Sequence, residues 1–186
     1  MIFGVGLLAL IVIVALWVMG IYNGLVGARN EVRNSWSQID VQLKRRHDLI
    51  PNLVEAVKGY MGHERGTLEA VTKARQQAID LAGASALDRA KVENALSQTL
   101  RSLFAVAESY PDLKANQNFL ALQEELTSTE NKISFSRQYY NDSVLRLNNR
   151  IQMFPSNVVA GMFSFQMEPF FQVEAAEDRQ APQVKF

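Results

Sequence analysis

Residues 2–21, IFGVGLLALIVIVALWVMGI, are apolar or glycine without exception, and the first charged residue of the chain is Arg29. At the helical rise, twenty such residues extend roughly 30 Å, the thickness of a bilayer's hydrocarbon core. The run therefore predicts a transmembrane anchor over residues 1–23, to which every other element must be fitted. A cleaved signal peptide is the competing reading, but it calls for a basic start, a shorter apolar stretch and a small-x-small exit. No Lys or Arg precedes this run, and its exit, Val18-Met19-Gly20-Ile21-Tyr22-Asn23, lacks that pattern, so a retained anchor is expected. With no cysteine in the chain, neither a disulfide nor a lipidated N-terminal cysteine is available.

Basic residues near the ends of a span set its orientation. They lie only on the C-terminal side, at Arg29 and Arg33 and then at Lys44-Arg45-Arg46. This bias favours an outside N-terminus with the following domain in the cytoplasm, with a periplasmic domain left open. Nineteen Lys and Arg balance nineteen Asp and Glu, so no overall field draws nucleic acid, and no nucleic-acid partner is expected. The dense basic run Lys44-Arg45-Arg46-His47 reads first as a solvated helix face; near lipid it would attract anionic headgroups.

Beyond the span, apolar residues recur at Trp36, Ile39, Leu43, Ile50, Val54, Val57, Met61, Leu68, Val71 and Ala78. The steps of three, four and seven stay in phase and predict one long helix, residues 24–81, with a coiled-coil-like seam. Pro51 interrupts it chemically, because proline has no N–H and clashes with the carbonyl four residues back. Since the phase survives, a kink in one rod is expected, with Gly59, Gly62 and Gly66 as weak points or close-packing sites. Tyr22 suits the membrane interface. Gly20, Gly24 and Ala28 put small residues on one face, where a neighbouring helix can approach closely. Chance is the competing account of that spacing. Gly20, Gly24, Ala28, Trp36, Ile39 and Leu43 are the candidate helix-packing or oligomer contacts.

Ser85-x-x-Asp88 resembles a capping arrangement and opens a second helix, residues 86–109, before Pro111. A third helix, residues 115–154, carries Phe119, Leu122, Leu126, Ile133, Tyr140, Val144, Leu147, Ile151 and Phe154 at the same spacing. Narrow apolar seams need one another, so the predicted fold class is all-α: a transmembrane helix continuing into an elongated antiparallel bundle, residues 24–154. The second helix is too short to cover both others, which leaves apolar surface for another subunit, the tail or a partner. The remaining residues, 155–186, form an extended tail. Six of the ten phenylalanines fall within the last 33 residues, and such rings call for cover. Phe154, Phe163, Phe165, Phe170, Phe171 and Phe186 are expected to dock, first on their own bundle, second at a subunit interface, third on lipid.

No catalytic constellation emerges. His63-Glu64 begins a zinc-protease pattern that fails at Thr67, and His47 is too distant along the rod to share a metal with His63. Neither a Gly-x-Ser-x-Gly elbow nor a phosphate-binding glycine loop is present. The expectation is no enzymatic activity, no cofactor and no metal.

The strings YNGLVGARNEVRNSWSQIDVQLKRRHDLIPNLVEAVKGYMGHE and ENKISFSRQYYNDSVLRLNNRIQMFPSNVVAG, with a later FF and a terminal AP-x-V-x-F, closely resemble the bacterial LemA family. The resemblance runs from Tyr22 to Phe186. It implies an inner-membrane protein with an N-terminal anchor, a helical bundle and no established enzymatic activity. Family members include a magnetosome protein that helps shape organelle membranes, and family genes often neighbour those of HtpX-type membrane zinc proteases. The function so implied is a membrane-anchored homo-oligomeric scaffold; the alternative is an adaptor or regulator of an HtpX-type protease. Expected partners are membrane lipid, further copies of the chain and such a protease.

Overall fold

The structure, a computed structural model, describes residues 2–171, with side chains from Phe3. Those residues form helices α1 (Ile2–Lys58), α2 (Arg65–Asp80), α3 (Ala86–Ala107), α4 (Pro111–Lys114), α5 (Gln117–Gln152) and α6 (Ser156–Met162), and no strand occurs among them. The chain is all-α, with one long apolar helix at its N-terminus. It divides into two units. Unit 1 holds residues 2–41 and 134–170, unit 2 holds residues 42–133 and Phe171, and α1 and α5 contribute to both.

The expected rod over 24–81 is two helices. α1 stops at Lys58, residues 59–64 turn, and α2 starts at Arg65. Gly59 and Gly62 flank the stop, and glycine costs a helix about 1 kcal/mol relative to alanine. Between them the amides of Tyr60 and Met61 donate to the Val57 carbonyl at 3.0 and 2.9 Å. The apolar phase persists through the break because the turn drops Met61, fully buried, into the core shared by Val57 of α1 and Val71 of α2. A seam in unbroken phase reports a common core and need not report a common helix.

Pro51, by contrast, lies inside α1 without ending it. The i→i−4 rule assigns the missing N–H of residue 51 to the carbonyl of His47, which proline would leave without its helical partner. Arg75 of α2 fills that vacancy, its Nε–H donating to the His47 carbonyl at 2.7 Å.

In unit 2, Ile50, Leu53, Val57 and Met61 meet Val71, Ala74 and Ala78 of α2, Leu96, Leu100 and Leu103 of α3, and Phe119 and Leu126 of α5. α3 begins as its sequence predicts: the Asp88 amide donates to the Ser85 hydroxyl at 3.2 Å, satisfying one of the free N–H groups of a first turn. α4 is a single turn with Pro111 in its first turn and Leu113 buried. The Asn116 side chain then caps α5, accepting from the amides of Asn118 and Phe119 at 2.9 and 3.1 Å. The expected helix 115–154 is thus α5 alone, Gln117–Gln152. The links Arg46–Glu130 and Tyr60–Asn116 show that α1 and α5 run antiparallel within this unit.

In unit 1, Trp36 meets Tyr140 with ring centroids 5.1 Å apart, and Glu31 accepts from Arg146 Nη2 at 2.8 Å and from the Tyr139 hydroxyl at 3.0 Å. The expected extended tail from residue 155 opens as a helix instead. α6 ends in a Schellman turn: the Phe165 amide reaches the Ala160 carbonyl at 2.9 Å, the Ser164 amide reaches Gly161 at 3.2 Å, and Ser164 takes the left-handed conformation at φ 56°. This geometry satisfies carbonyls that a helix end leaves open. It also turns Phe165 back onto Ala160. The closing residues 172–186, with Phe186 and the Ala181-Pro182-x-Val184-x-Phe186 ending, lie outside the described residues.

Candidate functional site

Three features carry chemistry. The first is the apolar part of α1. From Phe3 to Trp17 every side chain is exposed, and the large apolar ones are 48 % exposed or more. A helix apolar all round and exposed all round has no aqueous home. The segment is long and apolar enough to cross a membrane.

Cover begins where the run ends. Val18, Ile21, Tyr22 and Leu25 share a cluster with Ile151, Val159, Ala160 and Phe165. Tyr22 touches Phe163 and Phe165 at centroid distances of 4.7 and 5.8 Å, and the Arg29 guanidinium lies 5.0 Å over the Phe165 ring. Arg150 donates from Nη1 to the Gly24 carbonyl at 2.6 Å. A Cβ at Gly24 would come within 3.3 Å of that nitrogen, so the absence of a side chain at position 24 leaves room for Arg150 to reach the backbone.

The second feature is a buried ionic cluster in unit 2. Arg46 on α1 is fully buried. Its Nη1 donates to the Ser97 hydroxyl at 2.8 Å and to the Glu130 carboxylate, and its Nη2 donates to the Glu93 carbonyl at 3.3 Å and pairs with the Glu93 carboxylate. His47 Nε2 lies 3.2 Å from the same carboxylate, and Ser97 donates to Glu130 at 2.8 Å. Burial alone would raise the Glu93 carboxyl, but the His47 hydrogen bond and the charges of Arg46 and His47 outweigh it and hold Glu93 below the ordinary value. Each carboxylate of the cluster faces the Arg46 guanidinium.

This cluster corrects the reading of Lys44-Arg45-Arg46-His47 as a solvated face. Lys44 and Arg45 are exposed, but Arg46 and His47 are buried. The signal was in the spacing: Ile39, Leu43, Arg46, Ile50, Leu53 and Val57 follow steps of four and three, which puts Arg46 on the core stripe. Glu93 holds the corresponding position on α3, three residues before the buried Leu96.

The third feature is an open groove of about 850 Å3 along the end of α1 and α2. Val54, Met61 and Leu68 give it an apolar floor, and Lys58, Arg65 and Lys73 stand against one acid, Glu69, at its edge. Among the described residues no three His, Asp or Glu converge as metal ligands.

The sequence-derived contact residues separate by position. Ala28, Ile39 and Leu43 are buried within the chain, Trp36 and Gly24 are partly buried, and Gly20 is exposed. Of the tail rings, Phe171 is buried, Phe165 and Phe170 are partly buried, and Phe163 is half-exposed against Tyr22. Phe154 stands 81 % exposed, beyond the end of α5.

Comparison with known proteins gives a family profile, described as the LemA family, that matches residues 35–186. Protein LemA of Metamycoplasma hominis is 28 % identical over 161 residues, covering 86 % of this chain and 72 % of that protein. Magnetosome protein MamQ 2 of Paramagnetospirillum magneticum is 22 % identical over 183 residues, and magnetosome protein MamQ of Magnetospirillum gryphiswaldense is 20 % identical over 182 residues. Each of those matches covers 84 % of this chain and 66 % of the relative. Together with the exposed apolar segment, these relatives fit a membrane-associated protein.

Proposed function

This chain belongs to the LemA family, and from that premise we propose that it is a non-enzymatic scaffold, anchored by residues 2–21 in the bacterial inner membrane and working as a homo-oligomer. The observation that carries this reading is the continuity of α1: the helix that exposes apolar side chains on all sides up to Trp17 becomes a packed element at Leu25 with no intervening loop. An anchor built into the fold suits a protein whose task is to hold position. The buried cluster supports a structural role, because Arg46, Glu93 and Glu130 are spent on one another and on Ser97.

Self-association draws on exposed apolar residues in unit 1. Phe135 is 72 % exposed and Val41 62 %, and the pairing of Trp36 with Tyr140 on antiparallel helices brings them to the same level. On this reading the helices form a bundle on the cytoplasmic side, in keeping with the basic residues that follow the span. Light scattering on the full-length protein in detergent tests the proposal: a defined oligomer supports it, and a monomer at working concentration sinks it.

The groove along α1 and α2 favours a second reading, an adaptor or regulator of an HtpX-type membrane zinc protease. Its apolar floor and mostly cationic edge suit an acidic, apolar segment of such a partner. A photocrosslinker at Lys73 that captures no such protease in native membranes would dispose of it.

A further inference from the structure

Between Arg150 and Glu168 the chain has no charged residue. Within that stretch α5 ends, Phe154 and Pro155 make the corner, and α6 brings the chain back onto α1. Only one side of this hairpin is covered. Val159 and Ala160 are buried against Leu25, Val18 and Ile21, whereas Met153, Phe154, Val158 and Met162 are 62, 81, 54 and 70 % exposed. A protein surface with four large apolar side chains and no charge is costly in water, at about 25 cal/mol per Å2 of apolar area left exposed.

The place of this surface identifies its cover. If residues 2–21 fill the hydrocarbon core, then Val18, Ile21 and Tyr22 lie at its edge, and the hairpin packs on those same residues. α6 has seven residues, roughly 10 Å of helix, far short of a span. Its length suits lying at the boundary, and the cations beside it, Arg29 over Phe165 and Arg150 on Gly24, stand where headgroup phosphates would. We propose that the corner from Met153 to Phe163 is a second membrane contact, an interfacial element seated in the acyl-chain edge of the same leaflet in which the span ends, with Phe154 and Met162 as its lipid-facing side chains. The inference rests on the anchor reading and adds to it a lipid-binding face supplied by the far end of the chain.

The absence of native cysteine makes a clean test possible. Full-length Met162→Cys and Phe154→Cys proteins are spin-labelled in phosphatidylcholine liposomes, and collision with apolar oxygen is compared with collision with a water-soluble nickel chelate. Val12→Cys in the span and Ser102→Cys, at an exposed position on α3, are the references. Labels at 154 and 162 are expected to favour oxygen severalfold over the Ser102 label and to approach the Val12 label. Nickel access equal to that at Ser102 overturns the proposal, and so does protection from both reagents, which would mean that a second copy covers the corner. If Val12 reports water, the anchor reading fails on its own account; if Val12 reports lipid while 154 and 162 report water, only the present inference fails.

Discussion

Arg46→Met removes a fully buried cation from the core of unit 2. In the parent, the guanidinium makes four hydrogen bonds, to Ser97, to Glu130, and to both the carbonyl and the carboxylate of Glu93. Methionine matches the bulk of the arginine stem and replaces none of those bonds. Glu93, fully buried, is left with His47 as its remaining partner, while Glu130 still reaches Ser97. Breaking a buried pair by removing one partner costs about 3–5 kcal/mol, a large share of the roughly 5–15 kcal/mol that holds a domain together. The assay is urea unfolding of the full-length protein in detergent, followed by far-ultraviolet circular dichroism at neutral pH and again near pH 5.

The pH arm gives the reasoning a sign as well as a size. In the parent, Glu93 sits below its ordinary value, so its contribution is present above the unfolded carboxyl range and is lost as pH falls through the folded value. Without Arg46, burial, already the largest single influence on Glu93, pushes its carboxyl up. The variant's deficit should then shrink on acidification, where Glu93 takes up a proton, and grow as pH rises. Arg46→Met/Glu93→Met, which removes the buried charge along with its partner, should recover much of the loss. A loss under about 1 kcal/mol, or a deficit in Arg46→Met that widens in acid, would refute the account of the cluster as a closed ionic core.

Three further outcomes follow from particular contacts. Arg75→Met should cost about 1–3 kcal/mol by stripping the donor from the buried His47 carbonyl, and much less in a Pro51→Ala background, where the residue 51 amide takes that carbonyl; equal losses in the two backgrounds by urea unfolding would contradict the pairing. Ser85→Ala should cost about 1 kcal/mol through loss of the α3 cap, and a stability indistinguishable from the parent in the same assay would show the cap to be idle. Burial, with Glu168 nearby, pushes the Tyr140 hydroxyl up to about 12, and that hydroxyl donates to the Pro169 carbonyl at 3.0 Å. Its contribution is present below pH 10 and lost towards 12, so Tyr140→Phe should flatten the alkaline limb of a stability-against-pH curve.

The seam of α5 was legible residue by residue: Phe119, Leu126, Ile133, Tyr140 and Leu147, spaced by sevens, are all buried. So was the Ser85 cap, because a short polar side chain ahead of an apolar helix has few other uses. The stop at Lys58 was hidden for a physical reason. A turn that keeps Met61 in the core leaves the apolar phase intact, and only Gly59 and Gly62 mark the place. Arg46 was misread because a charge in a basic run is normally solvated, and the core stripe through Leu43 and Ile50 that contains it becomes persuasive only once Glu93 and Glu130 are seen to answer it. The return of α6 onto Tyr22 joins residues more than a hundred positions apart, a pairing that no local pattern encodes.

The unbroken passage of α1 from its exposed apolar turns into its packed ones also fixes how far unit 1 can search. A flexible tether of n residues lets its cargo roam over roughly 5–6 Å times the square root of n, so even a short glycine-rich leash would sweep a sizeable volume above the bilayer. Here there is no leash. Leu25 is already buried, and Gly24 is already held by Arg150, within a turn or so of the last apolar residue of the span. With residues 2–21 in the bilayer, as proposed above, the packed part of unit 1 has almost no reach of its own, and a binding partner has to come to the lipid surface to meet it.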